Sequence, residues 1–160
     1  MTIDGATIEF GDYQQLGRMI GVHIKPGAKL KLINGAKLTS VQNCNDSKWL
    51  GINVYGNKSL SQTESNQGTI EIVGTASNPV VIENADDAIS TRGFTSYTTN
   101  NMDWNSFGGI IKATHCVFKN NLRDVAFWKY ENKEGAINKP NISYFEYCTF
   151  TKDRPYANPT

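Results

Sequence analysis

The sequence predicts an all-β chain wound as a right-handed, single-stranded parallel β-helix of about four to five coils with three short strands each. Three observations carry this. Short β-branched and aromatic runs bounded by Gly, Asn and Pro fill the chain, with almost no helical periodicity. They sort into three types, A, B and C, that follow one another without a break in order. Within each run, apolar side chains recur at every second residue, as one buried face of a strand requires.

The first coil reads GATIEF (A, centred on Ile8), IGVHI (B, Val22) and GAKLKL (C, Leu30). The second reads GAKLTS (Leu38), LGINVY (Ile52) and GTIEIV (Ile70), and the third PVVIEN (Ile82), DAIST (Ile89) and GGIIK (Ile110). THCVFKN (Phe118), RDVAFW (Val125) and NISYF (Ile142) form the fourth, and YCTFTK (Phe150) opens a fifth. Successive A centres lie 30, 44, 36 and 32 residues apart, so each turn of chain returns to the same wall. On that wall Ala6 and Ile8, Ala36 and Leu38, Val80 and Ile82, Cys116 and Phe118, and Cys148 and Phe150 face inward. Thr7, Glu9, Lys37, Thr39, Glu83, Lys119, Thr149 and Thr151 face solvent, with Val81 and Val117 as exceptions. Asn84 and Asn120 fall in register at a corner, where stacked amides can hydrogen-bond along the coil axis. Trp49 and Tyr144, at strand edges, are read as packing residues, and His23 and His115 as strand residues.

Composition narrows the function. At 160 residues and 39% hydrophobic, the chain suits one β-helix domain, residues 1–160, and strand-like sequence directly after Met1 suggests a piece of a longer protein. A net charge of +1 gives no pull toward nucleic acid, and no apolar run reaches the roughly 20 residues needed to span a bilayer. Cys44, Cys116 and Cys148 form no CxxC pair, so neither a zinc site nor a disulfide scaffold is expected, and no cofactor is implied. Cys116 and Cys148 occupy equivalent positions one coil apart and are read as stacked buried thiols.

The segment from Asn34 to Lys152, with the blocks KWLGINVYGN and FKNNLRDVAF its most specific parts, resembles β-helix regions of large Bacteroidetes proteins. Those are exported by a type IX system, and their fold is the pectin-lyase-like solenoid. The resemblance implies a secreted or cell-surface location and a larger parent chain. The function of that family is mostly unassigned, so it supplies no catalytic residues.

Asp86 and Asp87 in ADDAI resemble the paired aspartates of polygalacturonases, which flank a glycosidic bond as acid and base. That family also needs a separate Asn-x-Asp upstream of the pair, a Gly-His-Gly downstream and an Arg-x-Lys after it, and their absence leaves the pair as weak catalytic candidates, otherwise solvated turn residues. A lyase would need a base for the C5 proton of a uronic acid. Arg92, Arg123, Lys129 and Arg154 are available, without a carboxylate cluster to hold calcium.

The loops say more. Between B and C strands the first coil has only Lys25 and Pro26, whereas later coils insert Gly56 to Gln67, Arg92 to Phe107 and Tyr130 to Pro140. Insertions on one side of a repeat commonly build its binding surface. That corner gathers Tyr55, Phe94, Tyr97, Trp104, Phe107, Trp128 and Tyr130, with Asn66, Gln67, Asn100, Asn101, Asp103 and Asn132 among them. Aromatic faces stack on sugar rings while amides bond hydroxyls, so Tyr55, Tyr97, Trp104, Trp128 and Tyr130 are the expected ligand contacts. The expected partner is a polysaccharide or host or cell-surface glycan, bound without catalysis in an adhesin-like module. A structural spacer and a polysaccharide lyase or glycoside hydrolase are the alternatives. Bare β-helix ends also predict flanking coils or end-to-end self-association.

Overall fold

A computed structural model describes residues 1–11, 20–41, 47–96 and 101–153. In chain order its strands are β1 (Thr2–Asp4), β2 (Thr7–Phe10), β3 (Val22–Ile24), β4 (Lys29–Ile33), β5 (Lys37–Ser40), β6 (Trp49–Val54), β7 (Thr69–Val73), β8 (Val80–Glu83) and β9 (Ala85–Ser90). These are followed by β10 (Gly93–Phe94), β11 (Met102–Asp103), β12 (Ile110–Thr114), β13 (Cys116–Lys119), β14 (Arg123–Ala126), β15 (Lys133–Glu134), β16 (Ile137–Asn138), β17 (Tyr144–Glu146) and β18 (Thr149–Thr151). Three parallel sheets form the walls of a β-helix: β2-β5-β8-β13-β18 (A), β3-β6-β9-β14 (B) and β1-β4-β7-β12-β17 (C). No helix occurs among the described residues, so none is long and apolar enough to cross a membrane.

Walls A and B have the expected register. Ile8 pairs with Leu38, Leu38 with Ile82, Ile82 with Phe118 and Phe118 with Phe150. Val22, Ile52, Ile89 and Val125 run in the same way along wall B. Stacked coils bring like side chains about 4.8 Å apart, and Leu38, Ile52, Ile82, Ile89 and Phe118 are fully buried. Each such side chain contributes about 1.5–3 kcal/mol relative to exposure.

Wall C departs from expectation in two ways. A C-type strand, β1, precedes the first A strand, with Ile3 beside Leu32. Ile70 pairs with Ile111 rather than Ile110, and Ile142 lies ahead of β17. The adjacent Ile110 and Ile111 are both completely buried, but only Ile111 belongs to the main core.

The corners follow from backbone sterics. Asn84 and Asn120 both have φ 57°, in the left-handed region that asparagine tolerates better than most residues. Their amides do bond along the axis, but not to each other: Asn84 donates to Thr39 Oγ1 at 3.1 Å and Asn120 to Asp153 Oδ1 at 2.7 Å. Thr39 is accordingly buried rather than solvated. His115, expected in a strand, turns the C to A corner with φ 50° and stacks on Tyr147, which turns the next coil. Beside Asn120, the fully buried Asn121 accepts from Ala85 N and donates to Ile82 O, bracing the A to B corner.

Trp49 is a packing residue, stacked on Phe10 at 4.2 Å with its indole N–H on Glu83 O. Tyr144 is not, being 43% exposed. At a bulge in wall B, Gly51 has φ 98°, and a Cβ there would lie 1.6 Å from the Asp87 carbonyl oxygen, so only glycine fits.

Candidate functional site

All three long connections leave the B to C corner and lie against one another. The backbone N–H groups of Gly56 and Lys58 donate to the carbonyls of Ser106 and Asn105, joining the first insertion to the second. The second contains an antiparallel pair, β10 with β11, and the third another, β15 with β16. Neither small ladder was expected, because two-residue strands have no readable alternation.

Glutamines hold this assembly. A long loop without strand partners must satisfy its backbone through side chains. Gln67 does this for the first insertion: fully buried, it accepts from Asn57 N and donates to the carbonyls of Asn57, Leu60 and Ser61. Gln62 links all three connections. Its amide donates toward Gly108 O and Gly109 O at 3.3 and 3.4 Å, its Oε1 accepts from Ile142 N at 2.8 Å, and its own N–H donates to Asn132 Oδ1. Several polar residues expected to bond a sugar are thus committed internally. Asn66 donates to Ser61, Asn132 to Pro140 O, and Asp103 Oδ1 accepts from Asn105 N.

The aromatic residues divide into buried braces and an exposed face. Tyr55 is 3% exposed, its hydroxyl 3.1 Å from His23 Nδ1 and its ring under the Lys25 ammonium. A Cβ at Gly93 would lie 2.1 Å from that ring, which explains the glycine opposite it. Tyr55 therefore offers no ring to a ligand, correcting the expectation. Phe94 and Phe107 are buried as well. Trp128 is half-buried, stacked on Phe107 at 5.7 Å, with its indole N–H on Ser90 Oγ. Trp104 makes T-shaped contacts with Phe107 and Trp128 at centroid distances of 6.0 and 6.5 Å but stays 63% exposed. Tyr97 and Asn100 lie outside the described residues.

Beside Trp104 opens a cleft of about 450 Å³ lined by Lys58, Ser59, Trp104, Phe107, Lys129, Tyr130 and Glu131. Tyr130 also lines two further hollows of about 330 and 380 Å³. Its hydroxyl donates to Leu60 O at 2.6 Å, and partial burial raises its pKa, keeping it a donor. Glu131 is ion-paired with Lys133, whose hydrogen bond holds the carboxyl below its ordinary range.

The aspartate pair has another fate. Asp86 and Asp87 lie within β9, not in a turn. Asp87 is 1% exposed and gripped by two guanidiniums: Arg92 and Arg123 each reach Oδ2 at 2.9 Å, and Arg123 Nε also contacts Oδ1. Both arginines, available in sequence as candidate lyase bases, are bound to Asp87 instead; Arg123 is half exposed, whereas Arg92 is itself buried and lies over the rings of Phe94 and Trp128. A carboxylate so enclosed has no face for a glycosidic oxygen. Among the described residues, no group of three or more His, Cys, Asp or Glu is placed to hold a metal.

No protein-family model, curated protein or solved structure matches this chain.

Proposed function

We propose that this β-helix is a non-catalytic glycan-binding module of a secreted or cell-surface protein, holding a sugar chain at the B to C corner. One observation carries the reading: Trp104 is fixed against Phe107 and Trp128, yet 63% exposed at the lip of a cleft. An aromatic that merely pinned its loop would bury its faces, as Phe107 does. A large flat ring kept in water yet held by two ring contacts suits stacking on a pyranose, which loses little rotamer entropy on contact. The location follows the resemblance to exported Bacteroidetes β-helices, and the adhesive role follows from the glycan.

The test is a glycan array probed with the native chain and with Trp104→Ala, each checked for folding by circular dichroism. Binding should weaken at least about tenfold in the variant, the order expected for a stacking aromatic at the centre of a contact. Equal binding by both proteins would refute the reading. Retention of no glycan by the native chain would favour the spacer role instead.

A further inference from the structure

We infer that the ligand of this cleft is an anionic sugar chain, with Lys58 and Lys129, which line the cleft together with Trp104, meeting its carboxylate or sulfate groups; this rests on the glycan reading above. The observation is a distribution of charge. Lys29, Lys31, Lys37, Lys112, Lys119, Lys133 and Lys139 are ion-paired, as are Arg92 and Arg123. Lys25 lies on the Tyr55 ring, and Lys48 and Lys152 have partners of their own. Among the described residues this leaves Lys58 and Lys129 as the lysines or arginines without an ion pair within 4.0 Å or a ring partner, and both line the same cleft.

The cleft's carboxylate cancels them only in part, because Glu131 is ion-paired with Lys133 and feels Lys129 only as a weaker, more distant charge. Nor does the cleft hold other charge-neutral anchors in quantity, since the Tyr130 hydroxyl is spent on Leu60 O. Two ammonium groups in the same cleft as an exposed indole add charge attraction to ring stacking. They are also mobile point charges, which suits anionic groups repeated along a polymer better than one fixed bidentate acid. In a chain of net charge +1, this is a local field rather than a general basicity.

Titration calorimetry with three hexasaccharides separates the ideas: oligogalacturonate carries carboxylates, chondroitin sulfate carries sulfates as well, and xylohexaose is neutral. The native chain should bind at least one anionic probe and prefer it over xylohexaose, with affinity falling as NaCl rises. The double variant Lys58→Gln/Lys129→Gln should lose roughly tenfold on that probe, in line with two partly solvated charge contacts. Its melting temperature should not change, because neither lysine has an ion pair to lose. The ratio of the two anionic affinities identifies the charged group. If xylohexaose binds as tightly, or the double variant binds an anionic probe unchanged while Trp104→Ala still weakens binding, the charge assignment is overturned and the glycan site stands. If no anionic probe binds, the charge assignment falls; if Trp104→Ala changes binding of no glycan, both ideas fall.

Discussion

The backbone N–H of Gln62 donates to Asn132 Oδ1 at 2.8 Å across 70 residues of sequence. Because Gln62 Oε1 also accepts from Ile142 N, one buried side chain and its own amide tie the first insertion to both ends of the third. Replacing it by alanine leaves the Ile142 N–H and the Gly108 and Gly109 carbonyls without this partner. Gln62→Ala should therefore cost about 1–3 kcal/mol, as expected when buried polar groups lose their bonds. Chemical denaturation would measure it. A variant within about 0.3 kcal/mol of the native chain would show that water replaces the amide freely.

Asp87 gives a sharper contrast between its two partners. Arg92 is nearly buried whereas the Arg123 side chain is 51% exposed. Asp87→Asn strands a buried guanidinium and should destabilise by about 3–5 kcal/mol, the cost of breaking a buried ion pair. Arg123→Gln removes a solvated arm and should cost about 1 kcal/mol or less. Equal effects in denaturant titrations would mean that Arg92, not Asp87, is readily accommodated alone.

The division between what could and could not be read from residues is physical. Recurring inward residues such as Leu38, Ile82 and Phe118 give walls A and B their register, because each has polar neighbours on both sides in sequence or only one apolar exception. Wall C slipped at Gly109-Ile110-Ile111, where two adjacent isoleucines fit either register and a one-residue shift reverses faces. Ile110 is buried outside the main core, which breaks the usual link between apolar and inward. At the corner, the position of the insertions was readable from the spacing of strands. Which aromatics stay exposed was not: Tyr55 and Trp104 differ in what lies over them, and that is decided by chain segments far apart. The roles of Gln62 and Gln67 rest on carbonyl geometry; their one signal is a long, largely polar insertion whose backbone has no strand partner.

Stability should fall in acid through the outer face of wall C. Glu64 joins Lys29 and Lys112, and Glu71 joins Lys31 and Lys29. Hydrogen bonds from Lys29 to Glu64 and from Lys31 to Glu71 are the chief causes that lower both carboxyl pKa values below the ordinary 4.5. A carboxyl lowered by folding contributes stability that is complete above its unfolded pKa and disappears as pH falls through the folded one. The decline should begin below about pH 5 and be modest, because these groups are solvated. Glu64→Gln should flatten the slope of unfolding free energy against pH in that range. An unchanged slope would place the acid sensitivity elsewhere.

Cys116 and Cys148 share a register position on wall A but not an environment. Cys116 is 1% exposed, and burial raises its thiol pKa well above the ordinary value; Cys148 is raised less, again chiefly by burial. Since the thiolate is the reactive form, both should resist alkylation at pH 8, Cys116 more strongly. Iodoacetamide labelling followed by peptide mapping separates them from Cys44. The expected order is slow modification of Cys148 and none of Cys116 until denaturant is added. Rapid native labelling of Cys116 would mean that β18 detaches from β13, since Phe150 on Phe118 and the strand pairing of Val117 with Thr149 otherwise cover that side of the thiol. Loss of both thiols as a linked pair on mild oxidation would replace the picture of stacked thiols with a disulfide between neighbouring coils.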